Sequence, residues 1–225
     1  MIVRVRAPNP SPLTLSGTNS YVVDGWVIDP GPALSAHVDA LVETVGPSPQ
    51  GILLTHDHGD HSEGAPALAA RLGVPIVEGL RDGDTIGPFS VLAVPGHSDD
   101  HLVFVAGRDA FTGDAVLGEG SVFVSGRLIE YLEGLRRLRS MDLERIHPGH
   151  GDEVDDPNAK LDEYVAHRLD RERKLLAALE AGASSEDELL DAAWEDAPAE
   201  VRPFAAITLR AHLEKLRAEG RLTAG

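Results

Sequence analysis

An α/β sandwich with a small helical appendix is the architecture that the 225 residues predict, and three observations carry it. Short runs of strand type alternate with helical periodicity up to about residue 155. Several of those runs end in loops with His or Asp beside glycine, which puts a site along the strand ends. After Asp155-Asp156-Pro157 strong strand signals stop. We therefore divide the chain into a larger unit over 1–155 and a smaller one over 156–225.

The first strand is marked by Val3 and Val5 alternating with Arg4 and Arg6. Beyond a Pro-rich loop, Tyr21-Val22-Val23 and Trp26-Val27-Ile28 flank Asp24-Gly25, a dipeptide suited to the positive φ angles of a tight hairpin turn. Asp29-Pro30-Gly31-Pro32 breaks the chain, and Ala36, Ala40, Leu41 and Val45 then fall at helical spacing. Residues 51–55 predict a short, fully apolar strand, and 62–72 a helix stopped by Gly73. Further strands are expected at 74–77, 89–94, 102–106 and 110–112. Leu128, Leu132, Leu135 and Leu138 form one stripe of an amphipathic helix, after which 145–147 leads into Pro148-Gly149-His150-Gly151.

Helical signals dominate the smaller unit. Leu161, Tyr164, Val165 and Leu169 mark one helix, and Ser185 with Glu188 gives a capping-box pattern before a second at 189–194. Ala206, Leu209, Leu213 and Leu216 mark a third, ended by Gly220. Three short helices and a final Arg221-Leu222-Thr223 resemble a winged-helix-like appendix.

Composition narrows the function. No apolar run approaches the roughly 18 residues of a membrane span, and Met1-Ile2-Val3-Arg4-Val5-Arg6 lacks the apolar core of a signal peptide, so a cytoplasmic location is expected. Zero cysteines exclude disulfides, thiolate metal ligands and a cysteine nucleophile. A formal charge of -17 weighs against generic binding of polyanions.

His56, His58, Asp60 and His61 stand directly after the apolar Ile52-Leu53-Leu54. Imidazole nitrogen and carboxylate oxygen are ligands that Zn²⁺ accepts, and iron or manganese can use them too. His97 in Pro95-Gly96-His97, Asp114 in Thr112-Gly113-Asp114 and His150 in Pro148-Gly149-His150-Gly151 add further donors at strand ends. Any one of these is ordinary turn chemistry. Seven together are enough for two ions sharing a bridging carboxylate, with positions left for water.

The HxHxDH pattern, followed by a distant His, Asp and His in glycine-flanked contexts, resembles the metallo-β-lactamase superfamily over about residues 10–155. Gly17-Thr18-Asn19-Ser20-Tyr21, Pro95-Gly96-His97-Ser98-Asp99-Asp100-His101 and Gly113-Asp114-Ala115-Val116-Leu117-Gly118-Glu119-Gly120 are similar to its β-lactamase-like protein 2 group, as is the C-terminal His212-Leu213-Glu214-Lys215-Leu216. The resemblance implies a four-layered αβ/βα sandwich. It implies one metal on His56, His58 and His97, a second on Asp60, His61 and His150, and Asp114 bridging them, with two zinc ions per chain expected. Such a pair lowers the pKa of water to near 7 and polarises a carbonyl or phosphoryl oxygen. Asp60 is the candidate for orienting the nucleophile and handling its proton, and Asn19 for donating to a substrate oxyanion.

Superfamily members that do redox chemistry on a di-iron centre tend to carry Glu in place of the second His; His58 points instead to hydrolysis. One expected activity is on a small ester or thioester. The alternative, implied by the group resembled, is endoribonuclease action on single-stranded RNA, which needs a local basic groove such as Arg168, Arg171, Arg173 and Arg210 could line. A third reading is a DNA-binding sensor whose reading helix carries Arg210, Lys215 and Arg217. The oligomeric state is left open. Among the other histidines, His101 is a support for the site or a core residue, His37, His167 and His212 are expected on solvated helix faces, and the surroundings of His147 are open.

Overall fold

A computed structural model describes residues 1–222. The first sheet is built from β1 (Ile2–Arg6), β2 (Asn19–Val23), β3 (Trp26–Ile28) and β4 (Gly51–Leu53) in that order, antiparallel except for the parallel β3–β4 pair. The β2–β3 turn has the predicted chemistry: Asp24 and Gly25 take φ of 47° and 86°, and Tyr21 registers against Ile28. Helix α1 (Ser35–Val45) precedes β4; the short α2 (Gly59–Ser62) and α3 (Ala65–Leu72) follow it. The second sheet runs β5 (Thr85–Ile86), β6 (Phe89–Ala93), β7 (Leu102–Ala106), β8 (Asp109–Gly113), β9 (Arg145–Pro148), with α4 (Leu128–Arg139) between its last two strands.

Strand periodicity sorts the side chains into layers. Tyr21 and Val23 meet Leu53, Phe89, Phe104 and Phe111 between the sheets. Val22, Val27 and Ile52 turn the other way, onto Val38, Leu41 and Leu68 of α1 and α3. On the far side, Leu92, Val103 and Ile146 pack on the predicted stripe of Leu128, Leu132, Leu135 and Leu138. The result is the four-layered αβ/βα sandwich.

Three local expectations change. Residues 74–77 form no strand, only a parallel bridge from Ile76 to Ile52, because Pro75 has no N–H to continue a ladder. The helix expected over 62–72 is interrupted at Gly64, whose Cα lies against the Pro30 and Gly31 carbonyls with no room for a Cβ. In α1 the buried face is His37, Val38, Leu41 and Val45, not Ala36 and Ala40, because the His37 ring turns inward to Ser20 Oγ at 2.8 Å.

The C-terminal part consists of α5 (Pro157–Glu180), α6 (Glu186–Ala193), a 3-10 turn (Ala199–Val201) and α7 (Arg202–Ala218). Ser185 and Glu188 form the predicted capping box. Leu175, Leu189, Leu190, Trp194, Leu209 and Leu216 make its own core, while Leu161 and Tyr164 of α5 belong to the core around α4. Helix α7 docks on the sandwich: Thr208 Oγ1 accepts from Val124 N at 3.0 Å, and the Phe204 and Phe123 rings lie 5.2 Å apart. Of the expected Arg221-Leu222-Thr223, Thr223 lies outside the described residues. Leu169, placed on the buried stripe by its spacing, is 44% exposed. No helix among the described residues is long and apolar enough to cross a membrane.

Two of the three histidines expected on solvated faces are buried. His167 is half-buried, His37 is buried, and His212 is fully buried against Trp194 with neither ring nitrogen hydrogen-bonded. Burial, then the Arg168 and Lys215 charges, push the His212 pKa down to about 3. Between there and the usual value near 6.5 the unfolded chain takes up a proton that the folded chain refuses. The contribution of His212 to stability is therefore full above about pH 6.5 and is lost progressively as pH falls. His212→Leu also removes two unpaired polar atoms, so its stability at about pH 7 should match or exceed wild type and decline less toward about pH 4. Urea titrations at the two pH values measure both; parallel losses in variant and wild type would contradict this account.

Candidate metal centre

Four loops bring the predicted donors together at the same end of both sheets. The chain leaves β4 and delivers His56 and His58, and the turn of α2 adds Asp60 and His61. His97 follows β6, Asp114 follows β8 and His150 follows β9. The glycines in these loops are there for space. A Cβ on Gly149 would sit 2.6 Å from the His61 ring and 2.7 Å from Asp114 Oδ1, and one on Gly113, at φ 47°, would strike Thr55.

His58 Nδ1 lies 3.0 Å from His56 Nε2 and 2.9 Å from His97 Nε2. In a second group, His150 Nε2 is 3.3 Å from His61 Nε2 and 3.2 Å from Asp60 Oδ2, with His61 and Asp60 3.6 Å apart. Asp114 faces both: Oδ1 is 3.4 Å from the His61 and His150 nitrogens, and Oδ2 is 3.5 Å from His97 Nε2. Each group could hold one ion, with Asp114 spanning the two.

The outward-facing ring nitrogens decide what the inward ones carry. His56 Nδ1 meets Thr55 Oγ1 at 3.0 Å, and that hydroxyl donates to Asp29 Oδ2. His61 Nδ1 donates to Asp29 Oδ2 at 2.9 Å and His97 Nδ1 to the Phe123 carbonyl at 3.3 Å. With their protons used there, His56 and His97 turn the lone pairs of their Nε2 atoms toward His58 Nδ1, an arrangement that suits a shared cation. Asp114 Oδ1 is buried without a well-formed hydrogen bond. Donor spacings of 2.9–3.6 Å suit ligands standing roughly 2.0–2.2 Å from a common ion. The residues present fit a dinuclear metal site.

Electrostatics agree. Burial disfavours charge on His61, yet Asp114 and Asp29 raise its pKa well above the usual imidazole value. His150 is likewise raised to about 9, burial being outweighed by Asp114 and Asp60. Burial would raise Asp114, but His61 and His150 hold it well below the carboxylate range. Burial lowers His56 and His97, keeping them in the neutral form that ligates. The pocket draws positive charge onto itself.

His101 is a support rather than a member of either group: it stacks on His56 at 4.8 Å and its Nε2 accepts from Asp114 N at 3.1 Å. Asn19 corrects the expectation of an oxyanion donor. It is fully buried, and Nδ2 donates to the Pro148 and Gly151 carbonyls at 3.0 and 2.8 Å, so both amide hydrogens are spent holding the His150 loop. His147 stacks on Phe111 and pairs with Asp109, outside both donor groups. Sequence reasoning missed Asp29 and Thr55. The available signal was a lone acid before Pro30-Gly31, at a position where a non-glycine residue adopts φ of 50°.

The "Metallo-beta-lactamase superfamily" family model matches residues 13–91, and the "Beta-lactamase associated winged helix domain" model matches 185–224. A beta-lactamase-like protein 2 homolog of Caenorhabditis elegans is 30% identical over 97% of this chain and 85% of its own length; that of Drosophila melanogaster is 29% identical over 98% and 89%. An atrochrysone carboxyl ACP thioesterase of a Cryptosporiopsis species is 33% identical over 82% of this chain and 65% of the relative. Among solved structures, a metallo-beta-lactamase family protein of Thermus thermophilus shares the fold at a TM-score of 0.78, with 24% identity over 100% of this chain and 95% of that one. A protein solved in a di-iron-bound form is 29% identical over 69% of this chain and 96% of that one, at 0.58. The chain belongs to the metallo-β-lactamase superfamily, with the His/Asp metal-binding cluster just described and a winged-helix domain at its C-terminus. Within that superfamily it stands with the beta-lactamase-like protein 2 homologues.

Two separable groups predict that His58→Ala and His61→Ala each remove about one of two metal equivalents. Elemental analysis of the purified variants measures this, and full metal content in both would refute the division. Asp29→Asn should weaken metal affinity by about 10- to 100-fold, read by chelator competition.

Proposed function

We propose that the chain is a dinuclear zinc hydrolase acting on a small ester or thioester. The observation that carries this reading is the cleft beside the donors. It holds about 540 Å³, has His58, Asp60, His97, Asp114 and His150 along it, and is walled mainly by apolar side chains such as Leu13, Leu117, Val122, Phe123, Trp194 and Phe204. An apolar wall beside a polar reaction centre suits an acyl chain or ring held with its carbonyl at the donors. The thioesterase relative points the same way.

Two ions on His56, His58 and His97 and on Asp60, His61 and His150, joined by Asp114, would polarise a carbonyl oxygen and make water nucleophilic at neutral pH. Asp60 is 31% exposed at the cleft and accepts from Thr18 Oγ1 at 3.3 Å, which supports it as the carboxylate that would hold and pass on the proton. A donor set of imidazoles and carboxylates suits zinc; the di-iron-bound relative makes iron the competitor to be measured.

Endoribonuclease action is the second reading, the one that the sequence resemblance to the beta-lactamase-like protein 2 group implies. Its difficulty is charge. Arg171 is paired with Asp196, Arg173 with Asp170 and Arg210 with Glu186, while Arg168 is buried, so the expected basic groove is already occupied by partners. The same pairing, with Lys215 buried on Glu172 and α7 docked on the sandwich, speaks against a DNA-reading helix.

A panel of thioesters, simple esters, lactones and single-stranded RNA, assayed on protein of measured metal content, tests the reading. Thioester or ester hydrolysis is expected, and Asp60→Asn should lower kcat by about 10²- to 10⁴-fold. Cleavage of RNA alone would transfer the assignment to the second reading.

A further inference from the structure

The C-terminal helices bury a positive charge that no side chain neutralises. Arg168 on α5 is 2% exposed, and among the described residues no carboxylate forms a salt bridge with it. Its Nη2 donates to the Val122 carbonyl and, at 3.1 Å, to Ser121 Oγ; Nε is buried without any partner; the guanidinium carbon lies 5.8 Å from the Tyr131 ring centre. The neighbouring buried cations are treated differently. Arg171 has a bidentate carboxylate in Asp196 at 2.6 and 2.8 Å, and Lys215 has Glu172 at 2.6 Å.

A buried charge without a counter-ion is costly, and a chain with a net charge of -17 has carboxylates in abundance to pair with it. Tethering one carbonyl needs only a neutral donor. What distinguishes Arg168 is its place: it lines the same cleft as the metal-centre residues, together with Ser121 and His167. His167 Nε2 accepts from Arg171 Nε at 3.2 Å, so its proton sits on Nδ1, which approaches Ser121 Oγ at 3.4 Å. Imidazole N–H, hydroxyl and guanidinium thus gather on a mainly apolar cleft wall, beside Arg171, whose charge is already matched by Asp196.

We propose that Arg168, assisted by Ser121 and His167, is the seat for a carboxylate carried by the substrate. The substrate class is then an ester or thioester whose apolar body bears a second, anionic carboxylate group, anchored on the helical appendix while the scissile carbonyl lies at the metal centre. The planar guanidinium suits a carboxylate, and the ligand supplies the counter-ion that the chain withholds. This rests on the cleft being the substrate-binding side of the hydrolase.

Calorimetric titration of the metal-loaded protein with naphthoate and with the neutral naphthamide tests it without reference to turnover. Naphthoate is expected to bind at least about tenfold more tightly, Arg168→Gln to abolish that preference, and Arg168→Lys to keep part of it. Equal binding of the two probes by wild type overturns the proposal. So does a preference that survives Arg168→Gln, which would put the carboxylate on the metal ions. Should Arg168→Gln fail to fold, the Arg168 Nε–H resonance of wild type is the readout: it must shift with naphthoate and not with naphthamide, and an unmoved signal is fatal. Failure of the hydrolase reading shows instead in the substrate panel, where no ester or thioester would turn over.

Discussion

Lone pairs and carboxylate oxygens crowded into one small space repel one another, and the rest of this fold is organised to hold them there. For His56, His61 and His97 the inward nitrogen is fixed by what the ring does on the outside. Asp29 is the centre of that scaffold: it accepts from Thr55 N and Thr55 Oγ1, both at 2.7 Å, and from His61 Nδ1, and through the Thr55 hydroxyl it also sets the His56 ring. One carboxylate thereby orients a ring in each donor group. The burial that makes Asp29 expensive also makes its bonds strong, since little water competes for them.

The two sheets meet the same demand from opposite sides. His56, His58, Asp60 and His61 hang from the first sheet; His97, Asp114 and His150 hang from the second. A cation shared between the groups would therefore clamp the sheets together at this end, in addition to the aromatic contacts of Tyr21, Phe89, Phe104 and Phe111 between them. Asn19 already does part of this work without metal, reaching from β2 across to the Pro148 and Gly151 carbonyls.

How far the sequence could be read depended on the distance over which its signals act. The hairpin at Asp24-Gly25, the leucine stripe of α4 and the Ser185–Glu188 cap are local patterns, and the structure reproduces them. The donor cluster was legible because four of its members are neighbours and the other three stand beside glycines. Asp29 was not, since its partners Thr55 and His61 lie 26 and 32 residues away and only the folded chain joins them. The buried histidines failed for a related reason. Periodicity assigns a face from apolar neighbours, and His37 and His212 are polar residues on faces closed by tertiary packing, one with a partner in β2 and one with none. The arginines of the imagined RNA groove looked available because the sequence does not show that Asp196, Asp170 and Glu186 fold onto them.

That pairing pattern explains why the appendix is a wall of the cleft rather than a separate reader of polyanions. Apart from Arg168, most of its cations are paired internally: Glu172 alone binds both Lys215 and Arg221 and ties α5 to α7 and to the segment beyond it. With α5 and α7 locked together, Trp194, Phe204 and Thr208 are held at fixed positions along the cleft, and Thr208 and Phe204 are bonded or packed directly to the 123–124 segment. The same segment carries the Phe123 carbonyl that orients His97. The position of the appendix is thus transmitted through two residues to a donor of the metal centre, so the apolar wall and the reaction centre are set by one continuous set of contacts.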